Sequence, residues 1–122
     1  MTAKAIIAKL ETSLTPLGAF RSRAMFGGHG LYLDDLFFGL IAYDKFYLKT
    51  DEQNRGDFVK ARAKPFSFES TRKGLVTTSY WQCPPEVFDD GRKLRRWIGK
   101  ALEAARRKPK KPAKKVFRSS PI

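Results

Sequence analysis

The chain has little with which to perform covalent or metal chemistry. It contains one cysteine, Cys83, and one histidine, His29. A single cysteine excludes an internal disulfide and gives no sign of an oxidising compartment. A zinc site takes three or four ligands, drawn mainly from several His and Cys, so no metal is expected, and no cofactor. No run approaches the ~20 apolar residues of a membrane span. The N-terminus lacks the apolar stretch of a secretory signal, because Lys4, Lys9 and Glu11 interrupt it. A cytoplasmic protein without a membrane partner is the expectation.

Nucleophile and acid/base sets are equally scarce. Asp34-Asp35 and Asp89-Asp90 are adjacent pairs, and neighbours along a strand point to opposite faces, so neither forms a dyad. His29 has no evident orienting partner, and a solvated turn histidine is the expectation. Cys83 precedes Pro84-Pro85 rather than a helix start, which predicts a half-buried, inert thiol. No Ser-His-Asp or Cys-His set can be assembled, and the chain is not expected to be an enzyme.

What the chain does have is apolar strand material and a lopsided charge. Hydrophobic residues make up 42% of the 122 residues, enough for a core, and the phenylalanines are concentrated before position 90. The formal net charge is +13. Residues 1–91 hold 12 Lys/Arg against 11 Asp/Glu, whereas residues 92–122 hold 13 Lys/Arg against Glu103 alone. The pattern is a near-neutral body with a basic arm.

The organising stretch is Met25 to Lys49, which predicts antiparallel strands separated by tight turns. Gly27, Gly28 and Gly30 are expected to break the first pair, Asp34-Asp35 the second and Asp44-Lys45 the third. Leu36 to Tyr43 is apolar on both faces, which places it mid-sheet or against a second copy. Before this stretch, Ile6, Leu10 and Leu14 share a helical stripe, with Thr2 as N-cap and Pro16 and Gly18 as the stop. Ala19 to Phe26 is predicted as a strand with one wet face.

After it, Thr50 and Gln53 have capping-box spacing, predicting a helix to about Ala63 anchored by Phe58 and Val59. Phe66–Glu69 and Leu75–Gln82 are further strands. Asp89 or Asp90 caps a last helix with Leu94, Trp97, Ile98, Ala101, Leu102 and Ala105 on its apolar stripe. The fold class is α+β: a two-layer arrangement, with an antiparallel meander of five to six strands under packed helices over residues 1–105. Residues 106–122 are expected to be a disordered Lys/Pro-rich tail, because like charges repel and nothing is buried to offset chain entropy.

One string is specific in its order: Met25-Phe26-Gly27-Gly28-x-Gly30-Leu31-Tyr32, then Tyr47-Leu48-Lys49-Thr50-Asp51, then Ser79-Tyr80-Trp81 and Pro84. It resembles the N-terminal domain of the TfoX/Sxy competence-regulator family over roughly residues 10–105. The resemblance implies a two-layer α+β domain that regulates competence genes, often with the cAMP receptor protein. It brings no catalytic residues. Family members continue into a helical C-terminal domain; here a Lys/Pro tail stands in that place, so a stand-alone domain is expected.

Three functions follow. The first is a non-enzymatic regulatory module, with Arg106, Arg107, Lys108, Lys110, Lys111, Lys114, Lys115 and Arg118 attaching it to nucleic acid by counterion release and a transcription-regulatory protein as partner. The second is a small-ligand or enzymatic domain that uses the Gly27–Gly30 turn as an anion nest. The third is a homodimeric scaffold. Tyr32, Tyr43, Tyr47, Tyr80 and Trp81, with Phe37, could stack bases, but only Arg21, Arg23, Lys45 and Lys49 are available to flank them, so core and dimer surface is the preferred assignment.

Overall fold

The computed structural model describes residues 2–25 and 27–107. Helix α1 (Ala3–Leu14) is capped by Thr2, whose hydroxyl accepts from the Ala5 N–H, and it buries Ile6, Leu10 and Leu14 as the stripe predicts. A 3-10 turn over Thr15–Leu17 follows. Strands β1 (Phe20–Met25), β2 (Gly28–Leu33), β3 (Leu36–Ala42) and β4 (Lys45–Lys49) form the expected antiparallel meander. Helix α2 (Arg55–Lys60), strands β5 (Pro65–Ser70) and β6 (Gly74–Gln82), and helices α3 (Pro85–Phe88) and α4 (Gly91–Arg106) complete the order. The sheet runs β1-β2-β3-β4-β6-β5, antiparallel throughout. The meander therefore ends at β4: the chain passes through α2 to the far edge, and β6 returns to fill the gap.

The four α-helices of the described residues cover one face. Phe58 of α2 packs on Trp81 of β6 and on Trp97 of α4. Phe88 of α3 meets Phe46 of β4 edge-on at 5.9 Å. Leu94, Ile98 and Ala101 of α4 are fully buried in the same cluster as Leu31, Phe38, Ile41 and Leu48. The domain is thus a two-layer α+β fold.

The turns differ from the expectation in instructive ways. Asp34 and Asp35 have φ of 49° and 67°, so that turn falls where predicted. The next turn centres on Tyr43-Asp44, with φ of 53° and 59°, because Lys45 is already paired with Ala42. Of the first glycines only Gly27 lies in a turn, at φ 76°. Gly28, His29 and Gly30 belong to the β2 ladder, so no anion nest forms there, and His29 is a half-buried strand residue with its Nδ1 unpartnered. The Met25 thioether end and the Phe37 ring occupy the space a side chain at Gly30 would need.

Strand β3 carries a bulge. Leu31 faces Gly39 but Tyr32 faces Phe37, leaving Phe38 as the extra residue. This puts Phe38 and Ile41 on the same buried face although three residues separate them, where strict alternation would have parted them.

The segment after β4 is also corrected. Thr50 does not cap a helix; its buried hydroxyl donates to the Ser79 carbonyl. Asn54, also buried, ties the turn instead: its Oδ1 accepts from the Asp51 N–H and its Nδ2 donates to the Lys49 carbonyl. Helix α2 ends at Lys60 rather than Ala63, and Val59 is exposed. Asp90 caps α4 by accepting from the Arg92 and Lys93 N–H groups. That helix reaches Arg106, and the Arg107 guanidinium grips the Asp51 carboxylate through Nε and Nη2. Helix α4 and the Arg107 contact thus run past residue 105, after which the sequence predicts the tail; residues 108–122 lie outside the described residues.

Two consequences are measurable. A methyl group at Gly39 would lie 2.5 Å from the Tyr47 carbonyl oxygen, so β4 must shift; Gly39→Ala should cost about 1–3 kcal/mol in urea unfolding. Gly99, mid-helix in α4 with open space at its Cβ position, should behave oppositely: Gly99→Ala should stabilise by about 0.5–1 kcal/mol. The second concerns acid. The Arg107 hydrogen bonds hold the Asp51 carboxyl down to about 2. Because the folded value is depressed, the stabilisation it brings is present above the ordinary carboxylate range and is lost as pH falls from about 4 towards 2. Arg107→Gln should return the Asp51 titration, followed by NMR, towards about 3.9; an unmoved titration would mean another group sets it.

Candidate functional site

The helix layer leaves the second face of the sheet uncovered, and strand register decides which side chains stand there. Cross-strand partners share a face. Arg21 pairs with Tyr32, Arg23 with Gly30 and Met25 with Gly28; Tyr32 pairs with Phe37; Leu40 with Tyr47; Ala42 with Lys45; Lys49 with Tyr80; and Phe68 with Val76. These residues alternate with Leu31, Leu33, Phe46, Leu48 and Trp81, which point at the helices.

The side chains of this face form a continuous ladder across five strands. The Arg21 guanidinium lies 5.8 Å from the Tyr32 ring centre. Tyr32 stacks on Phe37 at 5.1 Å, and Phe37 meets Tyr80 at 5.5 Å. The Lys49 amine closes the ladder, 5.2 Å from the Tyr80 ring, and donates to the Ser79 hydroxyl. A second set joins at the far edge, where Tyr47 packs on Phe66 and Phe66 on Phe68. Tyr32, Phe37 and Tyr80 are half-buried by one another, while Phe68 is exposed. Burial raises the Tyr80 phenol above its ordinary value, with Tyr32 adding to it, and lowers the Lys49 amine.

The motif residues are thereby brought together. Met25, Gly30, Tyr32, Lys49 and Tyr80 all belong to this face, with Gly30 leaving room for Met25 and Phe37. Gly27 supplies the turn, Gly28 opens β2, and Phe26 lies outside the described residues. Asp51 follows two residues after Lys49 and holds the end of α4 through Arg107. Pro84 is buried and begins the turn into α3. Trp81 and Tyr43 are not on the platform: Trp81 points at α2, and Tyr43 is exposed in a hairpin turn.

The face also carries the four sheet cations together. Arg21, Arg23, Lys45 and Lys49 occupy outward positions, and among the described residues no strand position of this face bears a carboxylate. Asp35, in the β2–β3 turn, pairs with Arg21 at 2.6 Å. Parity in each strand is visible in sequence, but only the register shows that β1 and β4 place their cations on one side.

Among the described residues no metal-type cluster gathers elsewhere. Cys83 is buried, its thiol donating towards the Pro84 carbonyl at 3.7 Å, and burial pushes it up to about 12. That is the opposite of what an activated thiol needs. A crevice of about 370 Å³ beside it is lined by Ile6, Phe46, Pro85 and Phe88, with the charged Asp44, Lys45 and Asp89 also on its wall. Among the described residues no three His, Cys, Asp or Glu cluster for a metal, and no helix is long and apolar enough to cross a membrane.

Of the tail cations, Arg106 ends α4 and Arg107 is engaged by Asp51; Lys108, Lys110, Lys111, Lys114, Lys115 and Arg118 lie outside the described residues. On the exposed side of α4, Arg92, Lys93, Arg95, Arg96 and Lys100 precede them.

Comparison with curated proteins finds none that matches. The family model for the TfoX N-terminal domain matches residues 12–105, which takes in α1 from Thr12 through nearly all of α4. That family is not a known enzyme family. With the match spanning most of the chain and every element of the sheet, this protein belongs to the TfoX N-terminal domain family.

Proposed function

We propose that the protein is a non-enzymatic, competence-regulator-like module that acts through contacts with a transcription-regulatory protein and is attached to nucleic acid by its basic C-terminal arm. One observation carries the attachment. The solvent side of α4 presents Arg92, Lys93, Arg95, Arg96 and Lys100, and six further cations follow Arg107 in sequence, against a body of near-zero net charge. Lys100 is partly offset by Asp57 at 2.8 Å and Arg107 by Asp51, so the free charge is concentrated on α4 and beyond residue 107. Such an arm binds polyphosphate by displacing counterions, without reading sequence.

The regulatory part of the reading draws its support from the family. The buried thiol and the strand-bound glycines favour this reading over a ligand or enzymatic one.

The attachment is tested in the full chain, with Lys108, Lys110, Lys111, Lys114 and Lys115 all changed to Ser. If the five lysines contact phosphates, log K for duplex DNA should fall by roughly 4–5 units less per tenfold rise in salt than for the parent chain. Electrophoretic mobility shifts between 50 and 200 mM salt should show the loss (on the order of tenfold or more) throughout that range. An unchanged salt slope would refute the attachment.

A further inference from the structure

We propose that the uncovered sheet face is a binding platform for single-stranded nucleic acid, separate from the basic arm and selective for unpaired bases. The proposal goes beyond the attachment above and does not depend on it.

The composition of the face is the first argument. It presents five aromatic rings that are half-buried or exposed, those of Tyr32, Phe37, Phe66, Phe68 and Tyr80, with Tyr47 buried against Phe66 and with Arg21, Arg23, Lys45 and Lys49 among them. Among the described residues none of its outward strand positions carries a carboxylate; Glu69 of β5 pairs with Leu75 on the opposite parity. Single-strand binding surfaces combine these two elements: rings against which bases stack and cations that follow the backbone. A duplex offers the cations phosphates but withholds its base faces, so the rings favour unpaired strands.

Charge argues against the other natural occupant, a second copy. A two-fold dimer buries the same patch on both subunits. Here it would set four cations opposite four cations; of the carboxylates beside them, Asp35 is already paired with Arg21 and Asp51 with Arg107. A polyanion satisfies the face, whereas a copy of itself opposes it.

Dimensions agree. Six strands spaced ~4.8 Å apart make a surface about 24 Å across, room for several nucleotides and comparable to the ~4–16 nucleotides that single-strand modules cover. The ladder is already ordered, with Tyr32, Phe37 and Tyr80 held against one another between Arg21 and Lys49. Few side-chain rotamers would need to be fixed on binding, which lowers the entropic cost.

Fluorescence anisotropy with the full chain tests this, using three 12-nucleotide probes at 300 mM salt: oligo-dT, an abasic strand with the same phosphates, and a blunt duplex. Oligo-dT should bind at least tenfold more tightly than either of the others. Tyr32→Leu, checked for folding by circular dichroism, should weaken oligo-dT at least fivefold and leave the abasic strand unchanged. Arg23→Gln with Lys45→Gln alters only exposed side chains and should weaken both strands. The chain carrying the five tail Lys→Ser changes should keep the ratio between oligo-dT and the abasic strand. Equal binding of these two strands by the parent chain would overturn the platform, as would a ratio that disappears with the tail lysines. Sedimentation showing a dimer that Tyr32→Leu dissociates would likewise overturn it, in favour of a second copy.

Discussion

Six strands with helices on one side only impose a constraint that runs through the whole molecule. One face of the sheet can be oily because α1, α3 and α4 lie on it, with α2 reaching in through Phe58. The other face must be stable in water by itself. It achieves this by packing its rings against each other and bracketing them with Arg21 and Lys49. Each cation lies over an aromatic ring and has a polar partner, Asp35 for Arg21 and the Ser79 hydroxyl for Lys49. The bulge at Phe38 serves both faces. It gives Phe38 to the helix side while keeping Phe37 beside Tyr32 on the outer side.

The family motif makes physical sense in this frame. Its glycines are not a ligand loop. Gly27 turns the chain, and Gly30 is small because Met25 and Phe37 lie across it. Its Tyr, Lys and second Tyr all stand in the outer ladder, Phe37 joining Tyr32 to Tyr80 and Lys49 closing it beyond Tyr80. Its Asp, two residues beyond Lys49, fixes the end of α4 and with it the place where the basic arm begins. The motif thus records the architecture of the uncovered face and of its connection to the last helix.

Much of this was legible in the sequence. Helices α1 and α4 announce themselves by apolar spacing and by Thr2 and Asp90, whose side chains have no better local partner. The Asp34-Asp35 turn is equally plain. Gly28 and Gly30 misled because glycine composition signals a turn, whereas here it answers to neighbours brought in by strand pairing. Thr50 and Gln53 have the spacing of a cap, but Ser79, distant in sequence, takes the Thr50 hydroxyl, and Asn54 closes the turn instead. The gathering of four cations on one face was hidden for the same reason: local parity is readable, but relative register is a long-range property. Arg107 could not be separated from the tail because its partner lies 56 residues away.

The account claims that the two faces divide the labour, one holding the fold together and the other meeting a partner. Chemical-shift mapping of the full chain during titration with single-stranded oligonucleotide addresses that division directly. The account predicts that the largest perturbations fall at Arg23, Tyr32, Phe37, Lys49 and Tyr80, with Leu94, Ile98 and the rest of the helix-covered core undisturbed. Perturbations confined to the helices and the C-terminal arm, with those sheet residues unmoved, would contradict it.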